Sequence, residues 1–219
     1  MTLETLEFVT EPNPQASVIV LHGLGADGND FVPVAKMLNP GVGVRYIFPH
    51  APMMPVTINN GYVMRAWYDI RNADLAQRED EGGLRQSMAQ INELIEREVE
   101  RGIASDKIVL MGFSQGCAMT LMTGLRQPKK LAGLIGLSGY LPIAATTEAE
   151  RNPANQQTPI FLAHGKLDPV VPIDRAIASR ELLQQLGYSV EWHEYPIPHS
   201  VSPEEIADID VFLKQVLAG

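Results

Sequence analysis

The chain has one cysteine in 219 residues, a shortage of basic side chains and no long apolar run. A single cysteine excludes an internal disulfide and fits a reducing compartment. Lysine and arginine total 17 against 26 aspartates and glutamates, a formal charge of -9. Nucleic acid is therefore not expected as a partner, because neutralising a phosphate backbone takes a basic surface. No stretch is apolar for long enough to form an integral membrane segment. Residues 1–11 carry acids where a secretory signal would carry bases, so a cytoplasmic location is expected. With 45% hydrophobic and 20% charged residues, the chain has the composition of a globular protein with a sizeable core.

The hydrophobic pattern alternates between two kinds of element. Residues 3–9 alternate in polarity, as an antiparallel edge strand does. Continuous apolar runs at 17–21, 44–48, 108–111, 132–138 and 159–163 read as strands buried on both faces. A last strand is expected at 190–195 and a short one at 62–68, within an irregular stretch from 49 to 77. Helical spacing predicts a short helix over 31–38, a long one over 79–101 and others over 117–125 and 173–186. In the long helix Leu84, Met88, Ile91, Ile95 and Val99 share a face, and Gly102 is a natural terminator. The final helix opens on Ser202-Pro203-Glu204-Glu205, a capping box with proline in the first turn. Strand and helix in alternation predict a single α/β domain over 1–219, a mostly parallel doubly wound sheet with helices on both faces.

The chemistry gathers on Gly112-Phe113-Ser114-Gln115-Gly116, between an apolar strand and a helical pattern. A serine on so tight a turn is held out over the sheet edge as a nucleophile, and the flanking glycines let helix and strand close together. A nucleophilic serine needs a base and an acid to orient it, and in a parallel sheet these belong beyond the carboxyl ends of later strands. Asp168 follows one such strand and His199 follows the last, giving the chain order Ser114, Asp168, His199 that this fold requires. An oxyanion hole needs two backbone N–H groups. Gln115, next to the nucleophile, supplies one, and Leu24 in the glycine-rich loop 22–25 supplies the other.

Each assignment has a plainer competitor. Asp174 rivals Asp168, but the preceding Pro172-Ile173 places it in the first turn of a helix. Among the histidines, His22 and His164 precede glycines at strand ends and brace loops, His193 lies within a strand, and His50 falls too early in the order. Cys117 in a helix packed on the sheet reads as a small hydrophobe. The stretch 22–28 lacks the lysine and Ser/Thr of a phosphate loop.

These residues resemble the acyl-protein thioesterase and bacterial carboxylesterase family, the phospholipase/carboxylesterase group of α/β-hydrolases. The resemblance runs nearly end to end: Leu21-His22-Gly23-Leu24-Gly25-Ala26-Asp27-Gly28, Pro55-Val56-Thr57-Ile58-Asn59, Trp67-Tyr68-Asp69, the elbow, Leu137-Ser138-Gly139-Tyr140-Leu141-Pro142, His164-Gly165 with Asp168, and His199. It implies an α/β-hydrolase and an esterase that needs no metal or organic cofactor. Larger relatives of this fold insert a cap domain after the strand ending at Ser138, and here that insertion is only Leu141 to Thr158, so no cap domain is expected. It also implies an acyl groove near Leu24, Met64, Trp67, Tyr140 and Val170. The implied substrates are short- to medium-chain acyl esters, with S-acylated proteins and lysophospholipids as alternatives using the same site. Members of the family commonly form homodimers. Two positions depart from its pattern: Cys117 replaces a glycine common after this elbow, and Tyr140 replaces the tryptophan of animal thioesterases. A non-catalytic relative that only binds a ligand or partner is the remaining alternative; such relatives usually lose a triad member, and none is missing here.

Overall fold

The computed structural model describes residues 2–72 and 79–218, so residues 73–77 of the irregular stretch lie outside the described residues. The elements run β1 (Thr5–Val9), β2 (Ala16–Leu21), α1 (Val32–Ala35), β3 (Val44–Pro49), β4 (Met53–Val56) and β5 (Tyr62–Arg65). There follow α2 (Glu81–Glu100), β6 (Ile108–Phe113), α3 (Gln115–Arg126), β7 (Gly133–Leu137) and α4 (Thr147–Glu150). The chain ends with β8 (Ile160–Gly165), α5 (Ile173–Gln185), β9 (Val190–Tyr195) and α6 (Pro203–Leu217). Seven strands form one sheet in the order β1-β3-β2-β6-β7-β8-β9. Only β1 is antiparallel, pairing with β3.

The continuous apolar strands serve two cores at once, because successive side chains leave opposite faces. In β2, Ile19 and Leu21 pack under α2 and α3 with Leu84, Ile91 and Leu121. Val18 and Val20 point the other way, toward Phe212 and Leu213 of α6. Each such side chain, once buried, contributes about 1.5–3 kcal/mol. The α2 helix ends at Gly102, whose φ of 94° suits only a residue without Cβ. At α6 the Ser202 hydroxyl accepts from the Glu205 N–H while Glu205 accepts from the Ser202 N–H.

Register brings the carboxyl ends of the central strands into line. Leu21 pairs with Gly112, Phe113 with Leu137, Leu137 with Ala163, and Gly165 with Tyr195. The loops that follow these residues therefore meet at one edge. Strand β8 runs two residues past the predicted end, so His164 and Gly165 belong to the strand and Asp168 stands three residues beyond its tip. The short strand expected at 62–68 stops at Arg65 and is half of a hairpin with β4, turned at Asn60 and Gly61, both with positive φ. No helix among the described residues is long and apolar enough to cross a membrane.

Candidate active site

The elbow between β6 and α3 is built by removing side chains. A Cβ on Gly116 would lie 2.6 Å from the Leu21 carbonyl carbon and 2.9 Å from the His22 oxygen, both backbone atoms that cannot move aside. One on Gly112 would lie 2.7 Å from Thr120 Oγ1, and one on Gly23 would press on Ser114 Cβ at 3.3 Å. Ser114 itself has φ 57° and ψ -116°, a backbone conformation that costs about 1–3 kcal/mol and persists only when its surroundings enforce it. They do so here through Ser114 N–H donating to the Leu137 oxygen at 2.9 Å and Ser114 C=O accepting from Ala118 N–H at 3.2 Å. The half-buried side chain stands at the N-terminal end of α3, where the helix dipole favours negative charge.

Asp168 and His199 come together because the loops after β8 and β9 are tied to one another. Lys166 N–H donates to Tyr195 O at 2.8 Å and Leu167 N–H to Ile197 O at 3.1 Å. The fully buried Asp168 side chain divides its two oxygens between two tasks. Oδ1 accepts from Val170 N–H at 2.8 Å and Val171 N–H at 2.9 Å. Oδ2 accepts from His199 Nδ1–H at 2.6 Å. A carboxylate can only accept, so the proton of a neutral His199 sits on Nδ1 and Nε2 keeps its lone pair. The imidazole packs on Phe113, the residue before Ser114, with ring centroids 4.7 Å apart.

The other histidines have structural partners. His164 donates from Nε2 to Val171 O at 2.9 Å, and burial holds its imidazole below the ordinary histidine range. His193 bonds Glu191 and stacks on Phe161. His22 donates from Nδ1 to Gly23 O at 2.7 Å and accepts from Ala51 N–H on Nε2 at 3.0 Å. Those two bonds need the neutral ring, and burial favours it. His50 accepts from Gly28 N–H at 3.1 Å, so two histidines brace the loop that carries Leu24.

Trp67 lies away from the groove wall expected of it. It is wholly buried, donating from its indole N–H to His22 O at 2.9 Å and from its backbone to the Gln115 side chain at 3.0 Å. The Gln115 amide in turn donates to Tyr68 O at 2.9 Å. Trp67 and Gln115 thus lock the loop 22–25, the elbow and the segment after β5 into one unit. An indole with its N–H satisfied in the interior serves packing, which accounts for the difference. Met64 likewise stands outside the groove, its sulfur accepting from the Asn59 side chain beside Gly25.

Among the anticipated groups, Leu24, Ser114, Gln115, Tyr140 and Val170 line one cavity of about 440 Å³. Its other side comes from Ile58 and Tyr68, which stand in the motifs of the resemblance but were not expected in the groove, and from Ile70, which the sequence did not single out. The Asn60-Gly61 turn was the available signal, since a hairpin there carries Ile58 to the site. Cys117 lies buried under the elbow, its thiol pushed up to about 12 by burial, and fills the space left by Gly136 and Gly139.

The comparisons with known proteins agree with this architecture. The phospholipase/carboxylesterase family model matches residues 6–217. Acyl-protein thioesterase 1 of Gibberella zeae is 39% identical, covering 97% of this chain and 95% of its own. That of Neurospora crassa is 42% identical over 92% of this chain and 87% of its own. The crystal structure of Zea mays acyl-protein thioesterase 2 superposes with a TM-score of 0.84 at 30% identity, covering 97% of this chain and 99% of that one. The chain belongs to the phospholipase/carboxylesterase family of α/β-hydrolases and is a hydrolase acting on ester or thioester bonds.

Proposed function

We propose that the chain is a serine carboxylesterase that hydrolyses short- to medium-chain acyl esters through Ser114, His199 and Asp168. The observation that carries this reading is the divided Asp168 carboxylate, one oxygen held by two backbone amides and the other on His199 Nδ1. Ser114 Oγ attacks the acyl carbonyl as His199 Nε2 takes its proton. The negative oxygen of the tetrahedral intermediate is met by the Leu24 and Gln115 amides, each worth roughly 3 kcal/mol in such sites. His199 returns the proton to the leaving alcohol, and water, deprotonated by the same nitrogen, releases the acid and restores Ser114. Asp168 holds the tautomer and stabilises the imidazolium.

The connection between β7 and β8 adds only the four-residue α4 and 3-10 turns, so the described residues there form no cap over the groove. An uncovered site suits a small ester and equally an acyl chain borne by something bulky. The names of the fungal relatives favour a second reading, in which the leaving group is a cysteine thiol of an S-acylated protein. A series of nitrophenyl esters of rising chain length, run beside an S-acylated peptide, separates the two. Highest kcat/KM on short and medium esters supports the first reading; a rise toward long chains together with faster peptide deacylation replaces it with the second.

A further inference from the structure

Behind the groove lies a second, internal void of about 10 Å³, between α3, β7, β8 and α5. Cys117, Leu121, Leu162, Ala176 and Trp192 are among its walls. A volume at the lower limit for one water, walled mainly by apolar groups, stays dry. Among the described residues Tyr140 alone lines both spaces. It is 4% exposed and held from two sides. Its hydroxyl shares a hydrogen bond with the Tyr68 hydroxyl at 3.0 Å, and the Arg175 guanidinium lies over its ring, 4.1 Å from the centroid. The next residue is fixed as well, Leu141 N–H donating to Ser179 Oγ at 2.9 Å. A ring pinned at its edge, its face and its backbone cannot swing aside to admit a longer ligand.

We propose that Tyr140 is the wall that ends the acyl groove and limits acyl-chain length, and that its removal joins the groove to the void beside Cys117. This rests on the esterase reading for its kinetic consequence, though the geometry does not. Each further methylene buried in an apolar channel multiplies kcat/KM by roughly fourfold, so two methylenes give roughly 15-fold. The limit is steric, because the void is apolar and would accept hydrocarbon if it could be reached.

Two measurements on Tyr140→Ala test it. The first is the ratio of kcat/KM on p-nitrophenyl dodecanoate to that on the butyrate, expected to rise roughly 15-fold over wild type. The second needs no esterase activity. Cys117 is the chain's only cysteine, so labelling by a hydrophobic alkyl methanethiosulfonate, read as intact mass, reports whether the void has opened. With both proteins labelled at alkaline pH, where a thiol reached by solvent ionises, wild type is expected to stay unlabelled and Tyr140→Ala to label, with slower labelling once an acyl phosphonate occupies the groove. An unchanged ester ratio in folded protein overturns the proposal, as does an unlabelled Cys117. If wild type hydrolyses no ester, the esterase reading fails and the labelling alone decides the wall. Tyr140→Leu, which keeps more of the buried volume, takes both measurements if the alanine variant does not fold, with smaller shifts of the same sign expected.

Discussion

In an Asp168→Asn protein, one carboxylate oxygen becomes an NH2 group, and the hydrogen bonds around residue 168 dictate which one. Oδ1 accepts two backbone N–H groups, from Val170 and Val171, in a fully buried position. Turning the NH2 toward them would set a donor against both amides, at about 1–3 kcal/mol for that of the buried Val171 alone. The amide oxygen therefore stays with the backbone and the NH2 faces His199 Nδ1. That nitrogen must then give up its proton and accept, which moves the ring proton to Nε2, where it blocks the base. Loss of the correct tautomer in a site of this kind lowers kcat by about 10⁴, or roughly 5 kcal/mol of barrier. The assay is kcat/KM on p-nitrophenyl butyrate at mildly alkaline pH, with thermal unfolding to show that the variant is folded. A loss smaller than roughly tenfold in folded protein would refute the role given to Asp168.

Two predictions concern the frame around the site. Gly116→Ala forces a Cβ against backbone atoms of Leu21 and His22, so it should cost more than about 4 kcal/mol or prevent folding, read by chemical denaturation; a cost under about 1 kcal/mol would show that the elbow can relax. Glu205, buried at the start of α6, is pushed up to about 7, first by burial and then by neighbouring Asp208, while its bond to Ser202 N–H works the other way. A raised carboxyl binds its proton more tightly in the fold, so its contribution is full below about pH 4.5 and is lost as pH rises through about 7. Glu205→Gln keeps an acceptor for the Ser202 N–H without the charge. It should be more stable than wild type by up to about 3 kcal/mol at alkaline pH and no more stable in acid, measured as unfolding temperature across pH. An equal difference at both ends would contradict it.

Much of the proposed site can be read before the fold is known, because its logic is local to strand tips. An apolar run followed by a turn and a helix announces Ser114, and chain order selects Asp168 and His199. The capping box at Ser202 and the stop at Gly102 are equally local, and both appear in the structure. The hairpin β4–β5 is different: Pro52 and Pro55 interrupt the alternation that marks a strand, so only its second half, within the strand expected at 62–68, is visible in the sequence. Trp67 misleads because an aromatic residue beside a site can serve its wall or its foundation. Its partners, His22 and Gln115, are 45 and 48 positions away. The Tyr68–Tyr140 bond spans 72 positions and exists only once β7 and the segment after β5 are in place. Contacts of that kind shape the groove, which is why the chemistry is easier to read than the substrate.

The serine nucleophile is tested most directly by a fluorophosphonate probe, which reacts only with an activated serine. Wild-type protein is expected to take one label, mapped by peptide mass to Ser114, and Ser114→Ala to take none while unfolding at an unchanged or higher temperature, since the alanine leaves the fold intact. A folded wild type that remains unlabelled, or a label that persists in Ser114→Ala, would contradict a serine hydrolase built on this elbow.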